Sequence, residues 1–275
     1  MLYTVATPIG NIADITKRAL KVLSEVELIF AEDTRRTKQL LLDLGLAVPK
    51  LISCFDHNER AVSKNYLDDL KTKNIALVCD RGTPTLNDPG FHILRTAQEL
   101  NVQIVPIPGA SAVTTFIQAV GVEGGKFQFV GYLERKKQDL KKQLIHFMES
   151  GLPTIFFDSP RRVHKSIETM FEEFPEIRVD LAKELTKQYE TFYHINKENL
   201  VTWLASNEEP KGEFVGMISF PRDSTKAAKE KEFSLADVLS PFVQEQKKLG
   251  KDKRQIESYF KDLGLKRSSY YKSLV

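Results

Sequence analysis

Three loops that combine glycine with proline each follow a predicted strand. They comprise residues 7–11, 80–90 and 106–111, and Gly10, Gly82 and Gly109 are predicted to form bends that face a ligand. Glycine lets the backbone approach a ligand closely, and proline fixes the direction of the chain beside it. Because the carboxyl ends of parallel strands meet at one edge of a sheet, the loops predict a ligand site there. The alternative interpretation is that they are only tight strand-to-helix turns.

Charged side chains also gather where predicted strands end. Four such segments occur, at residues 31–37, 55–60, 157–162 and 183–187. Strand-end charges are seldom needed for packing, so these segments are candidates for chemistry. Asp33 or Thr34 has a second interpretation, because both residue types are favoured as the N-cap of a following helix.

The motifs of several common cofactor sites are absent from the sequence. No G-x-G-x-x-G follows a strand, and there is no G-x-x-x-x-G-K-[ST] phosphate loop. Its histidines and cysteines lack the spacing of metal ligands, so we predict no bound metal. Cys54 and Cys79 each end an apolar run and are predicted to be small buried hydrophobes. Loops of backbone and small side chains favour a neutral or cationic organic cofactor.

Alternating strand-like and helix-like segments position these loops within residues 1–121. Strands are predicted at 2–6, 28–31, 50–54, 75–79 and 103–107, and helices at 14–24, 34–44, 61–73, 88–100 and 111–120. This alternation predicts an α/β domain with a mostly parallel sheet.

A second α/β domain is predicted at residues 122–222. Its strands fall at 127–132, 153–157, 178–185, 190–195 and 213–220, and its helices at 136–149, 162–174 and 197–205. A cleaner alternation of apolar and polar residues favours a mixed or antiparallel sheet. A polar linker is expected at 223–233, before a helix-turn-helix-like appendage of short helices at 234–275.

The charge of the chain is unevenly distributed. The 275 residues carry 40 Lys and Arg against 37 Asp and Glu, a net charge of +3. Residues 221–275 hold 13 basic and 8 acidic side chains, so this tail carries +5 and the remainder −2. A basic tail is typical of contact with a polyanion. No apolar run approaches the roughly 18 residues of a membrane span, and the N-terminus is predicted to be a strand, so we expect a cytoplasmic protein without membrane contact.

Several segments of the sequence, taken in order, carry a resemblance to a known family. They are residues 2–15 with 18–20, 31–35, 57–59, 82–84 with 88–90, 106–112, 159–160 with 162, and 184–187. In this order they resemble the ribosomal RNA small subunit methyltransferase I family, which belongs to the tetrapyrrole methylases. The opening segment and the loop at 80–90 are the most specific. The tail is similar to the short helical appendage of many members.

The resemblance implies two α/β domains with a cleft between them that binds S-adenosylmethionine. It implies 2′-O-methylation of a cytidine ribose in small-subunit (16S) ribosomal RNA, as free RNA or in the assembled small subunit, by a homodimer. The cofactor-binding residues that it implies are Ile9, Gly10, Gly82, Thr83, Leu86, Ser111, Ala112, Phe157 and Lys183. Arg81 departs from the family, where a small residue is usual. Its cation must point away from a sulfonium or pair with an acid such as Asp80 or Glu184.

Methylation of a ribose hydroxyl is helped by a base that takes the hydroxyl proton. The candidates for catalysis are Glu184, Asp33, Glu32 and His57, together with Lys187 if its surroundings lower its pKa. Arg35 and Arg162 suit phosphate binding, because a guanidinium is a planar fork of donors. Each of these residues has the alternative interpretation of an inter-domain salt bridge.

Two basic regions are predicted to contact RNA. Lys136 and Lys137 open a helix of the second domain, and Lys253, Arg254, Lys266 and Arg267 lie in the tail. The alternatives are a solvated helix face for the first region and a packing or dimer appendage for the second. Two other functions stay open: methylation of a tetrapyrrole or other small molecule, and RNA binding without catalysis. The basic tail favours RNA over a small substrate.

Overall fold

Five parallel strands form the first sheet. In the computed structural model, which describes residues 1–206, 211–221 and 235–262, they are β1 (Leu2–Val5), β2 (Leu28–Ala31), β3 (Lys50–Ser53), β4 (Ile75–Val78) and β5 (Ile104–Ile107). Their order across the sheet is β3-β2-β4-β1-β5, and every neighbouring pair is parallel. All five carboxyl ends lie along one edge, which confirms the predicted parallel sheet.

Helices cover both faces of this sheet. One face packs against α1 (Lys17–Glu25) and α2 (Thr34–Asp43), and the other against α3 (Glu59–Asn65), α4 (Leu67–Thr72) and α5 (Phe91–Glu99). Side chains alternate between the faces: Ile29 packs with α1 and α2, whereas Leu28 and Phe30 pack with α3 to α5. Burial on both sides explains why the inner strands β2 and β4 are continuous apolar runs in the sequence.

Three helices that pack on the first sheet differ from their predicted bounds for clear local reasons. Helix α1 begins at Lys17 rather than at 14, because the Thr16 hydroxyl accepts a hydrogen bond from the Ala19 amide. The helix predicted at 61–73 is divided at Tyr66 into α3 and α4. Helix α5 begins at Phe91 rather than at 88, because Gly90 has φ of 132° and residues 88–90 stay in the loop.

The second sheet is mixed. Its strands are β6 (Gln128–Tyr132), β7 (Thr154–Asp158), β8 (Arg178–Lys183), β9 (Thr191–Ile195) and β10 (Phe214–Ser219), in the order β6-β7-β10-β8-β9. Strands β6 and β7 are parallel, and the other neighbouring pairs are antiparallel. One face packs against α7 (Lys137–Ser150), α8 (Val163–Glu173) and α9 (Leu200–Ser206) around Phe156, Val179 and Leu181.

An apolar cluster joins the two sheets. Helix α6 (Ala112–Val120), which follows β5, contributes Val113 and Phe116 to it. The opposite side comes from the second sheet, with Ile155, Val215 and Met217. Both sheets belong to one compact unit, Met1–Phe147 with Leu152–Phe220. This packing holds the carboxyl edge of the first sheet next to one edge of the second.

A second compact unit contains Met148–Gly151 and the chain from Pro221 onward. Its described part includes α10 (Leu235–Lys248) and α11 (Lys253–Asp262), where Val243, Ile256 and Phe260 are buried together. The predicted linker at 223–233 lies outside the described residues, as do Lys266 and Arg267 of the predicted appendage. The predicted domain bounds 1–121, 122–222 and 234–275 stay predictions. Within the described helices, none is long and apolar enough to cross a membrane.

Candidate functional site

A cavity of about 350 Å³ lies where the two sheet edges meet. From the first sheet, the loops after β1, β2, β4 and β5 form one wall, with Ile9, Glu32, Arg36, Asp80, Arg81, Gly82, Thr83, Leu86, Asn87, Asp88, Ser111 and Ala112. The second sheet supplies Tyr132, Phe157, Asp158, Leu185, Glu213, Phe214 and Val215. Its volume is within the range of small-molecule sites.

The three glycine-containing loops are tied together by hydrogen bonds. Thr7 and Gly82 exchange two backbone hydrogen bonds, with N···O distances of 2.8 and 3.0 Å, which join the loops after β1 and β4. The Thr83 hydroxyl donates to the Ala110 carbonyl at 3.1 Å, which adds the loop after β5. Gly82 has φ of 82°, a left-handed conformation that other residues adopt only with strain. The loops therefore act as one rigid cradle.

The second-sheet side of the cavity is partly aromatic. The rings of Phe157 and Tyr132 meet edge to face with centroids 5.8 Å apart, and Tyr132 is more than half exposed. Leu185 and Val215 lie beside them, and Ile9 and Leu86 face them from the first sheet. This apolar strip suits the flat or aliphatic part of an organic ligand.

Carboxylates gather on the first-sheet side. Glu32 Oε2 accepts the Asp80 amide at 3.1 Å, and Asp80 accepts the Asp33 amide at 3.0 Å and the Arg36 guanidinium at 2.9 Å. Burial, followed by the nearby Glu32 carboxylate, raises the pKa of Asp88 to about 6. Burial also raises the pKa of Glu32, where the charge of Asp80 adds to the effect. This side of the cavity holds negative charge at close range.

Arg81 is paired, although with a different acid from the two expected. Its Nη1 lies 2.5 Å from Glu213 Oε2, which also receives the Lys187 ammonium at 2.7 Å. Lys187 in turn binds Glu184 Oε1 at 2.8 Å. Partial burial raises the pKa of Glu184, but its hydrogen bonds from Lys187 and the Glu213 amide outweigh burial and leave that pKa below its usual value. Arg81 therefore pairs with an acid, as one of the two expected alternatives required, and the acid is Glu213 rather than the examples Asp80 and Glu184.

Two buried oxygen atoms in the wall have no partner among the described residues. They are Ser111 Oγ and Asp158 Oδ2. Buried polar atoms are nearly always hydrogen-bonded, so both atoms are available to a ligand. The wall also contains five carboxylates against two guanidinium groups. An apolar strip, two unpaired acceptors and excess negative charge fit an organic cation with donor groups, as a sulfonium cofactor is.

Most of the predicted cofactor residues lie in this wall. They are Ile9, Gly82, Thr83, Leu86, Ser111, Ala112 and Phe157. Gly10 and Lys183 lie outside it. Gly10 lines a separate open groove with Thr186 and Lys187, and Lys183 ends β8 opposite Phe214.

The predicted catalytic residues are divided by the fold. Glu32 lines the cavity, whereas Glu184 and Lys187 bind Glu213 behind the wall. Asp33 is the N-cap of α2 and binds Arg35, whose hydrogen bonds hold the pKa of Asp33 far below its usual value. His57 stacks edge to face with Phe55, outside the wall.

The predicted RNA-binding residues have mixed surroundings. Arg35 is exposed beside Asp33, and Arg162 donates two hydrogen bonds to the buried Asp158. Lys137 pairs with Glu172 of α8, while Lys136 is exposed just before α7. Lys253 and Arg254 open α11 with exposed side chains.

The sequence interpretation missed several wall residues. They are Arg36, Asn87, Asp88, Tyr132, Asp158, Glu213, Phe214 and Val215. Asp88 lies in the loop at 80–90 and Asp158 in the segment at 157–162, and both segments are candidate sites in the sequence. Proximity to the predicted residues of those segments could therefore have indicated them. Glu213 follows a polar segment and precedes a strand, with no pattern that points to the cavity. Among the described residues, no three or more His, Cys, Asp or Glu side chains are arranged so that they could hold a metal ion.

Comparison with known proteins agrees with the fold. The family model of tetrapyrrole (corrin/porphyrin) methylases matches residues 1–200. Because this match covers well over half of the sequence, the chain belongs to the tetrapyrrole methylase family. S-adenosylmethionine is the cofactor of this family.

Within that family, similar curated proteins from several organisms carry the name ribosomal RNA small subunit methyltransferase I. The protein of that name from Vibrio cholerae serotype O1 is 39% identical over 227 residues, or 82% of this chain and 78% of the relative. The Escherichia coli O157:H7 protein is 42% identical over 217 residues, covering 78% and 76%. The Leptospira biflexa protein is 39% identical over 230 residues, covering 82% and 93%.

Solved structures share the fold at low sequence identity. Diphthine synthase matches with a TM-score of 0.59 and 15% identity, covering 83% of this chain and 94% of that structure. The methyltransferase CobJ matches with a TM-score of 0.56 and 15% identity, covering 79% and 93%. These likenesses confirm the predicted tetrapyrrole-methylase-like architecture of two α/β halves with a cleft between them.

Proposed function

We propose that this protein transfers the methyl group of S-adenosylmethionine to the 2′-oxygen of a cytidine ribose in small-subunit (16S) ribosomal RNA. The observation that carries the proposal is the cavity between the two sheets, with its apolar strip, unpaired acceptors and excess of carboxylates. The names of the curated relatives support ribosomal RNA as the substrate.

The cofactor would be held by residues from both halves of the cavity. The loop cradle of Gly82, Thr83 and Ser111 offers backbone groups and a hydroxyl to its polar parts. Phe157 and Leu86 offer apolar contact to its ring. When bound, the cofactor supplies a methyl group on a sulfonium, which is the electrophile of the reaction.

The protein's task is to position, desolvate and deprotonate. Holding the ribose oxygen in line with the methyl carbon and sulfur removes the entropic part of the barrier. The Tyr132 and Phe157 rings give the second-sheet side of the cavity an apolar surface. Paired to Glu213, the Arg81 cation is partly neutralised at the rim, which supports binding of a cationic cofactor.

RNA contact is proposed at basic side chains on the surface of the described residues. Arg35 and Lys136 are exposed, and Arg254 lies on α11. Binding through such groups weakens as salt rises, because phosphate contacts release counterions. The pairing of Lys137 with Glu172 and of Arg162 with Asp158 lowers what those two cations offer to RNA. A homodimer that works in the cytoplasm is part of the proposal.

The test uses small ribosomal subunits that lack ribose methylation. The protein is incubated with them and with cofactor labelled in its methyl group, and the RNA is digested to nucleosides. Label in 2′-O-methylcytidine is the expected result. Label in a base, in protein or nowhere contradicts the proposal. Calorimetry with the cofactor alone gives a second check, since absence of binding at millimolar cofactor excludes catalysis.

A further inference from the structure

The carboxylates of the cavity wall differ in what they already bind. Asp80 is paired with Arg36, Asp158 with Arg162, and Glu213 with Arg81 and Lys187. An ion pair holds a carboxylate in its charged form and makes it a weaker acceptor of a proton. These three acids therefore already have cationic partners.

Two wall carboxylates remain without an ion pair among the described residues, Glu32 and Asp88. Glu32 uses Oε2 to accept the Asp80 amide, which helps to hold the β2 and β4 ends together. Asp88, by contrast, accepts no hydrogen bond from a backbone amide of the described residues. It stands in the long loop after β4, directly before the Pro89-Gly90 turn that leads into α5.

The position of Asp88 is well defined. Gly90 has φ of 132°, and a Cβ added there would lie 2.8 Å from Leu77 Cδ2, so the turn is packed tightly on the sheet. On the other side of that turn, the buried Glu59 carboxylate accepts the amides of His92 and Ile93 at the start of α5. The loop is thus fixed at its end, and Asp88 is half-buried in the wall.

We propose that Asp88 is the catalytic base, which takes the proton from the ribose 2′-hydroxyl; this inference rests on the proposed function. The ribose oxygen forms its bond to the methyl carbon as the methyl–sulfur bond breaks, and that bond's electron pair stays on sulfur. The hydroxyl proton moves to an Asp88 carboxylate oxygen. The products are a 2′-O-methyl ribose, a neutral thioether and protonated Asp88, which releases its proton to solvent.

The electrostatics support this role. Asp88 faces carboxylates from three elements: Glu32 at the end of β2, Asp80 at the end of β4, and Asp56 in the loop after β3. The Cys79 thiol and the Tyr132 phenol also face it. Burial and these charges raise the pKa of Asp88 to about 6. A base with a pKa near the working pH is both mostly ionised and strong enough to accept a proton.

The test compares Asp88→Asn with a matched control, Asp68→Asn. Asp68 is an exposed residue of α4 that lies outside the wall, so its variant removes the same charge without the proposed base or the carboxylates that face it. In single-turnover methylation of undermethylated small subunits, D88N is expected to lose about 10²- to 10⁴-fold in rate. D68N is expected to stay within about threefold of wild type. The wild-type rate should rise with pH around a midpoint near 6, and D88N should lack that rise.

A second readout does not depend on activity. In protein labelled with ¹³C at the aspartate carboxyls, without cofactor or RNA, one signal should titrate near pH 6 and be missing from D88N. Circular dichroism and a cofactor affinity within about threefold of wild type establish that D88N is folded. If D88N retains more than about a tenth of the wild-type rate, or has an unchanged pH profile, Asp88 is not the base. That result leaves the proposed function of the protein standing. Loss of activity in Glu32→Gln with retention in D88N assigns the base to Glu32 instead. A wild-type protein that methylates no ribose overturns the proposed function, and this role of Asp88 with it.

Discussion

Glu59 is expected to stabilise the protein by capping a helix that lies far from it in sequence. Its carboxylate is almost fully buried, and Oε1 accepts the amide hydrogens of His92 and of Ile93, the latter at 3.2 Å. These amides belong to the first turn of α5, whose own N-cap residue is Gly90 and has no side chain to do this. Glu59 therefore links α3 to α5.

The size of the effect follows from what each substitution removes. Glu59→Ala removes the cap and the charge at the positive end of the helix and leaves two amides without an acceptor. A lost cap costs about 1–2 kcal/mol and a lost charge at a partly buried helix end up to about 2 kcal/mol, so the sum is about 3 kcal/mol. Glu59→Gln keeps an acceptor oxygen and loses only the charge, so about 1 kcal/mol is expected.

Urea unfolding followed by circular dichroism measures both free energies of unfolding. In thermal unfolding, the same losses correspond to about 6–12 °C for Glu59→Ala and about 2–4 °C for Glu59→Gln. Glu25→Ala is the control, because Glu25 is an exposed residue of α1 whose ion pair with Lys21 is 4.0 Å long, and it should change little. A loss below about 1 kcal/mol for Glu59→Ala, or equal losses for both variants, would refute the capping argument.

Three further variants test other parts of the site by urea unfolding. Gly90→Ala should lose about 2 kcal/mol, because alanine is strained at φ of 132° and its Cβ would press on Leu77; an unchanged stability contradicts this. Asp158→Asn should lose about 2 kcal/mol, because the buried acid binds Arg162 through two nitrogen atoms, and a neutral result would mean that the pair contributes nothing net. Asp88→Asn should instead be more stable than wild type at pH 7.5. Its pKa is raised from 3.8 to about 6, so the native protein binds a proton that the unfolded chain releases between these values, and wild-type stability falls as pH rises through that window. The difference should disappear below about pH 4, and a difference that does not change with pH counts against the raised pKa.

The alternation of short apolar runs with amphipathic segments was enough to predict the order of strands and helices. Ile29 and Phe30 show why: a strand buried on both faces is apolar throughout, and such a strand needs helices on either side. Helix bounds were less predictable. The break at Tyr66 and the late start of α5 at Phe91 depend on backbone conformations that the apolar pattern does not encode.

The loops of the cavity were predictable in the same way, because a parallel sheet brings every strand end to one edge. Gly82, Thr83 and Ser111 were chosen on that ground, and they line the cavity. The sequence pattern did not predict which residues of the second sheet would line the cavity. Glu213 and Tyr132 reach the cavity only because the apolar cluster around Phe116 and Met217 sets the two edges side by side. That placement depends on tertiary packing, so no local spacing of residues in the sequence predicts it.

The triplet His57-Asn58-Glu59 shows how residue type can mislead about role. These side chains are all common in catalysis, yet two of the three are used for architecture. Asn58 accepts the Phe55 amide and donates to the Ser53 carbonyl, which closes the turn after β3. Glu59 then holds the start of α5, and the chain just before that helix carries Asp88 into the wall. Asn58 and Glu59 therefore affect the site indirectly, because they fix the backbone that leads to it. An acid whose neighbours are mostly other acids, such as Asp88, is the better indicator of chemistry, because a fold keeps such charge together only at a cost in stability.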